Sequence, residues 1–353
     1  MNKGDYVNVR TEKNGNIIEF TKLNENLARY LKDTVLKNIN LNFTVIYHID
    51  NDGIFGAEML TWLTEVITDK QHYVTTNHEK LARYFACNYG ASPSEDDMFV
   101  MNNDSVVVIT DYRLPFEQFQ KVVENSKHTL WIDHHKTSRD DIMHHRDIIN
   151  KYIEEGKLSV SFNMHRCGTM IMNNVFHRLY PREFVECADT IPKLSEVVRL
   201  IDIYDRCSDR SIKEAWYLNA YTFKSADAEL NSPIWMDICS EPGFAKAMYF
   251  GEKLYANAWE LNELVYEAFS KETIFHDLKC RVLYGYGNGY VFNDHEKEYD
   301  AVIIYHQVSN GKYKYSIFSA NGADIEKIAS SYGGGGHASA AGFTIDDDLF
   351  NDR

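Results

Sequence analysis

The sequence predicts an α/β protein, with an N-terminal parallel sheet carrying helices on both faces and a smaller C-terminal domain built on a mixed sheet. Two observations carry this. Through the first 135 residues, short apolar runs alternate with stretches of helical periodicity, the pattern of strands covered on both sides. From Cys280 onward come the runs RVLYGYGNGYVF, DAVIIYHQV and YKYSIFSA, the last two flanking Asn310-Gly311, a hairpin turn.

In chain order, residues 1–20 read as a hairpin turning at Asn14-Gly15, and Leu23 to Leu36 takes helical spacing. Phe43 to Tyr47 is the first buried strand, and a helix follows from Ile54 to Ile67. A second strand at Tyr73 to Thr76 leads to a helix at Glu79 to Cys87. The apolar runs 105–110 and 129–132 bracket a helix at Phe116 to Glu124. Residues 166–180 and 193–206 read as helices, and 225–242, with Pro233 and Pro242, as irregular. A long amphipathic helix from Phe244 to Lys271 then leads to the C-terminal sheet, which has a helix near Asp324 to Ser331. The expected division is an extension at 1–40, a catalytic domain at 41–225, a connecting region at 226–272 and a substrate-binding domain at 273–353.

Charge narrows the function. Against 37 Lys and Arg stand 52 Asp and Glu, a net charge of −15, which speaks against a grip on long nucleic acid and for a small or short substrate. Part of that negative charge would be carboxylate neutralised by a bound metal. The six cysteines are scattered singly with no CxxC pair, the pattern of reduced thiols rather than disulfides or structural zinc. The start, MNKGDYVNVR, has no signal-peptide character and no run is long enough for a bilayer, so a cytoplasmic protein with no membrane partner is expected.

The chemistry-bearing residues gather at predicted strand ends, where open α/β sheets bind ligands. In YHIDNDGIFGAEM, His48, Asp50 and Asp52 alternate directly after a strand, and Gly53 allows a sharp turn into the next helix. Imidazole with carboxylates and no thiolate suits Mn²⁺, Mg²⁺ or Zn²⁺. Asp111 ends the apolar run in VITDYRLP. In WIDHHKT, Asp133 precedes the adjacent imidazoles His134 and His135, one suited to ligate, the other to meet a reacting phosphate, with Asp133 orienting either ring. LIDIYDRCSD places Asp202 and Asp205 on one helical face, either as ligands or as partners for Arg199 or Arg206. In SSYGGGGHASAAGF, Gly333, Gly334, Gly335 and Gly336 leave backbone N–H groups to converge on an anion, and His337 adds a donor.

Taken in order, HxDxDG (48–53), a strand-end Asp (111), DHH (133–135), a later helical Asp (205) and GGGGH (333–337) resemble the DHH phosphoesterase superfamily, in the oligoribonuclease and pAp-phosphatase-like branch that carries a DHHA1 domain. The resemblance spans roughly residues 43–345. It implies two Mn²⁺ ions, with Mg²⁺ or another divalent ion as substitutes. His48 and Asp50 resemble ligands of one ion, Asp52 and His134 of the other, and Asp111 the bridging carboxylate. Asp205 resembles the later ligand, with Asp202 the competing assignment. Asp133 and His135 would serve catalysis, and Gly333 to His337 would hold the substrate. Many relatives have an arginine shortly before the glycine loop, whereas Ser319 to Asp324 holds none here, leaving Arg281 or Lys327 as substitutes. The N-terminal extension is unusual for compact members and could cover a sheet edge or form the contact of a homodimer.

The activity expected is a metal-dependent phosphodiesterase or phosphatase acting on short oligonucleotides or small nucleotides. The alternatives are a cyclic-dinucleotide phosphodiesterase, a RecJ-like single-strand exonuclease, and a nucleotide-sequestering protein without turnover.

Overall fold

The computed structural model describes residues 6–13, 15–36, 43–68, 83–87, 104–182, 184–185, 191–224, 229–230, 232–285, 297–309, 311–336 and 339–351. It divides into two compact units, residues 1–252 and 253–353.

The N-terminal unit is built on a seven-stranded sheet. Its elements are β1 (Tyr6–Thr11), β2 (Ile17–Leu23), α1 (Leu27–Leu36), β3 (Phe43–His48), α2 (Asn51–Thr68), β4 (Arg83–Cys87), β5 (Val106–Thr110), α3 (Phe116–Asn125), β6 (His128–Asp133), α4 (Lys136–His144), α5 (Arg146–Glu154), β7 (Leu158–Asn163), α6 (Gly168–Leu179), α7 (Leu194–Asp205), α8 (Lys213–Lys224) and α9 (Pro233–Ile238). The strand order is β1-β2-β7-β6-β5-β3-β4, with β7, β6, β5, β3 and β4 mutually parallel. The central strands β3, β5 and β6 are buried at every residue, as the unbroken apolar runs require. The first hairpin does not stand apart: β2 pairs antiparallel with β7 and extends this sheet.

The C-terminal unit takes up the end of a long helix, α10 (Glu241–Phe269), followed by β8 (Ser270–Phe275), β9 (Leu278–Tyr284), β10 (Ala301–Gln307), β11 (Tyr313–Ser319), α11 (Ile325–Ser331), β12 (Gly335–Gly336) and β13 (Ala340–Ile345). Its sheet runs β12-β13-β11-β10-β9-β8. It is mixed: β9 and β10 are parallel and the other pairs antiparallel. Tyr305, Tyr315, Phe343 and Phe350 pack at its core beside Ile303 and Ile317. Among the described residues no helix is long and apolar enough to cross a membrane.

Four local expectations are corrected. Glu79 to Cys87 is not helical where it is described: Arg83 to Cys87 forms β4, parallel to β3, and its aromatic RYFAC sequence suits a half-buried pleat. The helix expected from Leu23 starts at Leu27, because β2 continues to Leu23 on its pairing with β7. Pro233 opens a short helix rather than irregular chain, since proline fits a first turn and Ser232 Oγ accepts from Ile234 N at 3.3 Å. Ser270 and Lys271 leave the long helix to begin β8 against β9. The strand expected at Tyr73 to Thr76 lies outside the described residues.

His128 at the start of β6 is fully buried, with Nδ1 2.9 Å from Gly156 O and Nε2 2.9 Å from Ser159 Oγ. Burial lowers its pKa from 6.5 to about 4. The unfolded chain therefore takes up a proton below its own pKa while the folded chain stays neutral, so this contribution is whole above that pKa. It is lost as the pH falls through the folded value. At ~1.4 kcal/mol per unit, roughly 3 kcal/mol should disappear between neutral pH and pH about 4. Urea midpoints across that range should fall less steeply in His128→Gln than in the wild type; parallel slopes would refute the assignment.

Candidate metal centre

β3, β5 and β6 are neighbours in one parallel sheet, so their carboxyl ends deliver His48, Asp111 and Asp133 side by side. After His48 the chain turns immediately into α2. Gly53 N donates to Asp50 Oδ1 at 2.9 Å, and a Cβ on Gly53 would lie 2.1 Å from His48 O, so only glycine lets the helix start against the strand. Asp52 then sits in the first turn of α2, buried. Its Oδ2 accepts from Gly168 N and its Oδ1 from Thr169 N, both at 2.7 Å, while Thr169 Oγ1 donates to Asp52 O. The first turn of α6 thus gives its unpaired N–H groups to a carboxylate from another element, which fixes that carboxylate and partly offsets the burial and the Asp50 charge that push its pKa up.

Asp111 follows β5 with φ 55, the left-handed region that Asp tolerates better than most residues, and its N–H donates to Ile132 O at 2.9 Å. Asp111 Oδ1 lies 3.0 Å from His134 Nε2, and Oδ2 lies 3.8 Å from His48 Nδ1. His48 Nδ1 is also 2.7 Å from Asp50 Oδ2. His134 Nε2 has Asp205 Oδ2 at 3.6 Å and Asp52 Oδ2 at 3.7 Å. Among the described residues three groups of donors result, His48 with Asp50 and Asp111, Asp52 with His134 and Asp205, and Asp111 with Asp133, His134 and His135, each with its ligand atoms within 4.8 Å; the first two suit two cation positions. Asp111 touches both.

Burial, together with the charges of Asp52, Asp50, Asp205 and Asp133, pushes the Asp111 carboxyl well above the usual carboxylate range. Burial and the charges of Asp52, Asp50 and Asp202 do the same to Asp205. Asp111 Oδ2 and Asp205 Oδ2 are buried without a hydrogen-bond partner. Buried carboxylate oxygens in that condition are costly alone and suited to a cation. Oxygen and imidazole donors fit Mn²⁺, Mg²⁺ or Zn²⁺.

Asp133 has a different part. Its Oδ1 accepts from His134 N at 2.6 Å, His135 N at 3.1 Å and His135 Nδ1 at 2.7 Å, and its Oδ2 accepts from Ser138 Oγ at 2.5 Å. Burial opposes its charge, yet the His135 and His134 charges and these hydrogen bonds hold it below the usual range. It pins His135 and the start of α4. The two candidates on α7 separate equally clearly. Asp205 faces His134, whereas Asp202 is taken by Cys167 N at 2.7 Å, Arg166 Nη1 at 3.2 Å and Arg206 Nε at 3.3 Å.

The glycine loop departs from expectation in its first half. Gly333 N donates to Ser330 O at 3.0 Å and Gly334 N to Ala329 O at 2.9 Å, so both close the end of α11 instead of waiting for an anion. Gly334 is required sterically, since a Cβ there would lie 2.0 Å from Gly342 O. Gly335 and Gly336 form β12 against β13, and His337 lies outside the described residues. Of the substitutes for the missing arginine, Arg281 donates to Ser270 Oγ at 2.7 Å beneath Tyr266, and Lys327 lies 3.5 Å from Asp324.

Residues 289–352 match the DHHA1 domain family. The C-terminal unit thus carries a DHHA1 domain. Among solved structures, the chain is similar to the DHH domain of a member of the s1p family of ribosomal proteins, at 12% identity, 90% of this chain, 86% of that one and a TM-score of 0.56. It is also similar to exonuclease RecJ bound to manganese, at 15% identity, 92% and 90% coverage and a TM-score of 0.49. A third is the pGpG-specific phosphodiesterase PggH from Vibrio cholerae, at 14% identity, 86% and 93% coverage and a TM-score of 0.44. At 12% identity the likeness to the first of these is one of fold. No curated protein sequence matches the chain.

The sequence alone did not point to Gly168 and Thr169, which hold Asp52. A Cβ on Gly168 would fall 2.8 Å from Asp111 Cβ and 3.1 Å from Asp52 Oδ2. The signal available was Gly-Thr at a helix start after β7, a small residue where backbone must approach closely.

Proposed function

We propose that this protein is a metal-dependent phosphoesterase that hydrolyses short oligonucleotides or small nucleotides with a pair of divalent cations, Mn²⁺ foremost, in the cytoplasm. The observation that carries the reading is Asp111, a buried carboxylate placed between the His48–Asp50 group and the Asp52–His134–Asp205 group. In this reading Asp111 joins two cation positions, one held with His48 and Asp50, the other with Asp52, His134 and Asp205. Bound there, divalent cations would supply an activated water and charge stabilisation for phosphoester hydrolysis.

The chain's own residues do the rest. The α6 amides keep Asp52 in place, and Asp133 holds His135 through Nδ1, which fixes the ring that would meet a phosphate oxygen. Ser138 shares the other oxygen of Asp133, so the ring and α4 hold one position. Gly335, Gly336 and His337 carry substrate binding from the C-terminal unit, with Gly333 and Gly334 shaping the loop's entry.

The test is turnover by the purified protein with Mn²⁺ on pApA, pAp, short RNA, c-di-AMP and long single-stranded DNA. Fastest cleavage of pApA, pAp or short RNA is the expected result. Preference for the long strand or for c-di-AMP would overturn the substrate class, and tight binding without turnover would overturn the reaction.

Cation binding also has a stability readout. Mn²⁺ at about 100 times its Kd should add ~2.7 kcal/mol. For a unit of this size that raises Tm by roughly 5–10 °C, reversed by EDTA. An unchanged melting curve at millimolar Mn²⁺ and Mg²⁺ would contradict the ligand set.

A further inference from the structure

We infer that Arg166 and Arg206 form a second anion subsite beside the centre, which takes a phosphate of the substrate other than the one being cut. This rests on the phosphoesterase reading and extends it to substrates carrying at least two phosphates.

The basis is an imbalance of charge. Two other arginines of the N-terminal unit each meet a single carboxylate. Arg113 holds Asp141 at 2.6 and 2.9 Å, and Arg199 holds Glu196 at 2.7 and 3.0 Å. At Asp202 two guanidinium groups share one carboxylate, at longer range: Arg166 Nη1 at 3.2 Å, Arg206 Nε at 3.3 Å and Arg206 Nη2 at 3.4 Å. That carboxylate also accepts Cys167 N at 2.7 Å, so it is far from committed to either arginine. The cluster carries a net positive charge in a chain of net charge −15.

Its position gives that charge a use. Asp202 precedes Asp205 by one helical turn, about 5 Å along α7. Arg166 lies two residues before Gly168, which abuts Asp111 and Asp52. Arg206 directly follows Asp205 and its charge acts on that carboxyl. Asp202 is 4% exposed, while the Arg166 side chain is 48% exposed, so the carboxylate anchors a fork whose outer face meets solvent. A guanidinium offers five N–H donors in a plane matched to phosphate, and Asp202 uses only a few of them. The two arginines thus flank ligand-bearing residues in the chain, where a further phosphate of the same substrate would meet them.

The experiment compares pApA with bis(p-nitrophenyl) phosphate, a diester with no second phosphate, under Mn²⁺. Arg166→Gln should raise KM for pApA about 10- to 100-fold more than KM for the small diester, the loss of a charged hydrogen bond. Arg166→Lys should recover part of the difference, because charge returns without the planar fork. Arg199→Gln, on the same helix in a one-to-one pair, should leave both constants as in the wild type. Equal changes for the two substrates would overturn the subsite. Arg206 still pairs Asp202 when Arg166 is lost, which protects the fold. Should Arg166→Gln nevertheless misfold, Asp202→Asn tests the opposite sign: it releases both arginines and should lower KM for pApA, and an unchanged or raised KM refutes the proposal. If the wild type turns over neither compound, the reaction assignment fails separately. Calorimetric affinity for pApA then decides the subsite, weaker binding by Arg166→Gln supporting it and equal binding refuting it.

Discussion

Asp111→Asn is expected to lower Mn²⁺-dependent hydrolysis by at least about 10³-fold with the fold intact. The side chain keeps its size and one carbonyl oxygen, but loses the charge that both donor groups share. Asparagine also tolerates the left-handed backbone at this position, where φ is 55. Asp111→Ala would add backbone strain of ~1–2 kcal/mol, so comparing the two variants separates the missing charge from the backbone. Removing a buried, repelled carboxylate also relieves the protein without metal. Its Tm in EDTA should therefore rise above that of the wild type while the Mn²⁺ increment shrinks. Wild-type turnover in Asp111→Asn would remove the centre from the mechanism.

Gly168→Ala is expected to be as damaging by a different route. The new methyl would sit 2.8 Å from Asp111 Cβ and 3.1 Å from Asp52 Oδ2, and Asp111 Cβ is close to backbone and cannot swing away. The helix start must retreat, which breaks its hydrogen bonds to Asp52. A destabilisation of ~2–3 kcal/mol follows from overpacking. A loss of about 10- to 100-fold in Mn²⁺ affinity follows from disturbing a residue that positions a ligand. Urea titration and calorimetry measure the two. Gly285→Ala is the control, since a Cβ there meets nothing within 4 Å. If Gly168→Ala bound Mn²⁺ like the wild type, the close packing around Asp111 would be irrelevant to the centre.

What could be read from the sequence follows from how local each signal is. β3, β5 and β6 are continuous apolar runs, so their ends, and hence the positions of His48, Asp111 and Asp133, were visible. β7 was not, because LSVSFN alternates serine with apolar residues. Its buried Ser159 and Ser161 are satisfied by His128 and Thr21, far away in the chain. The hold of Gly168 and Thr169 on Asp52 bridges 116 and 117 positions, beyond any motif. The choice between Asp202 and Asp205 was equally hidden, since both lie on one face of α7 and it takes distant residues, Arg166 and Cys167 on Asp202 and His134 on Asp205, to tell them apart. In the glycine run, residue type suggested free amides, but two of them are consumed in ending α11.

The pairing of β2 with β7 bears on the order in which the chain folds. Phe20 lies opposite Phe162 and Thr21 opposite Ser161, so the first hairpin synthesised finds its neighbour only after some 140 further residues have been made. Closing so long a loop is an entropic cost borne before the contact repays it, which places this step among the slow ones. Until then the hairpin has only its own two strands, too few for independent stability. Asp205 is later still in the sequence. A ribosome-bound chain therefore holds the sheet's apolar centre before it has either its outer edge or a complete ligand set, and that interval is when the nascent protein most needs protection from aggregation.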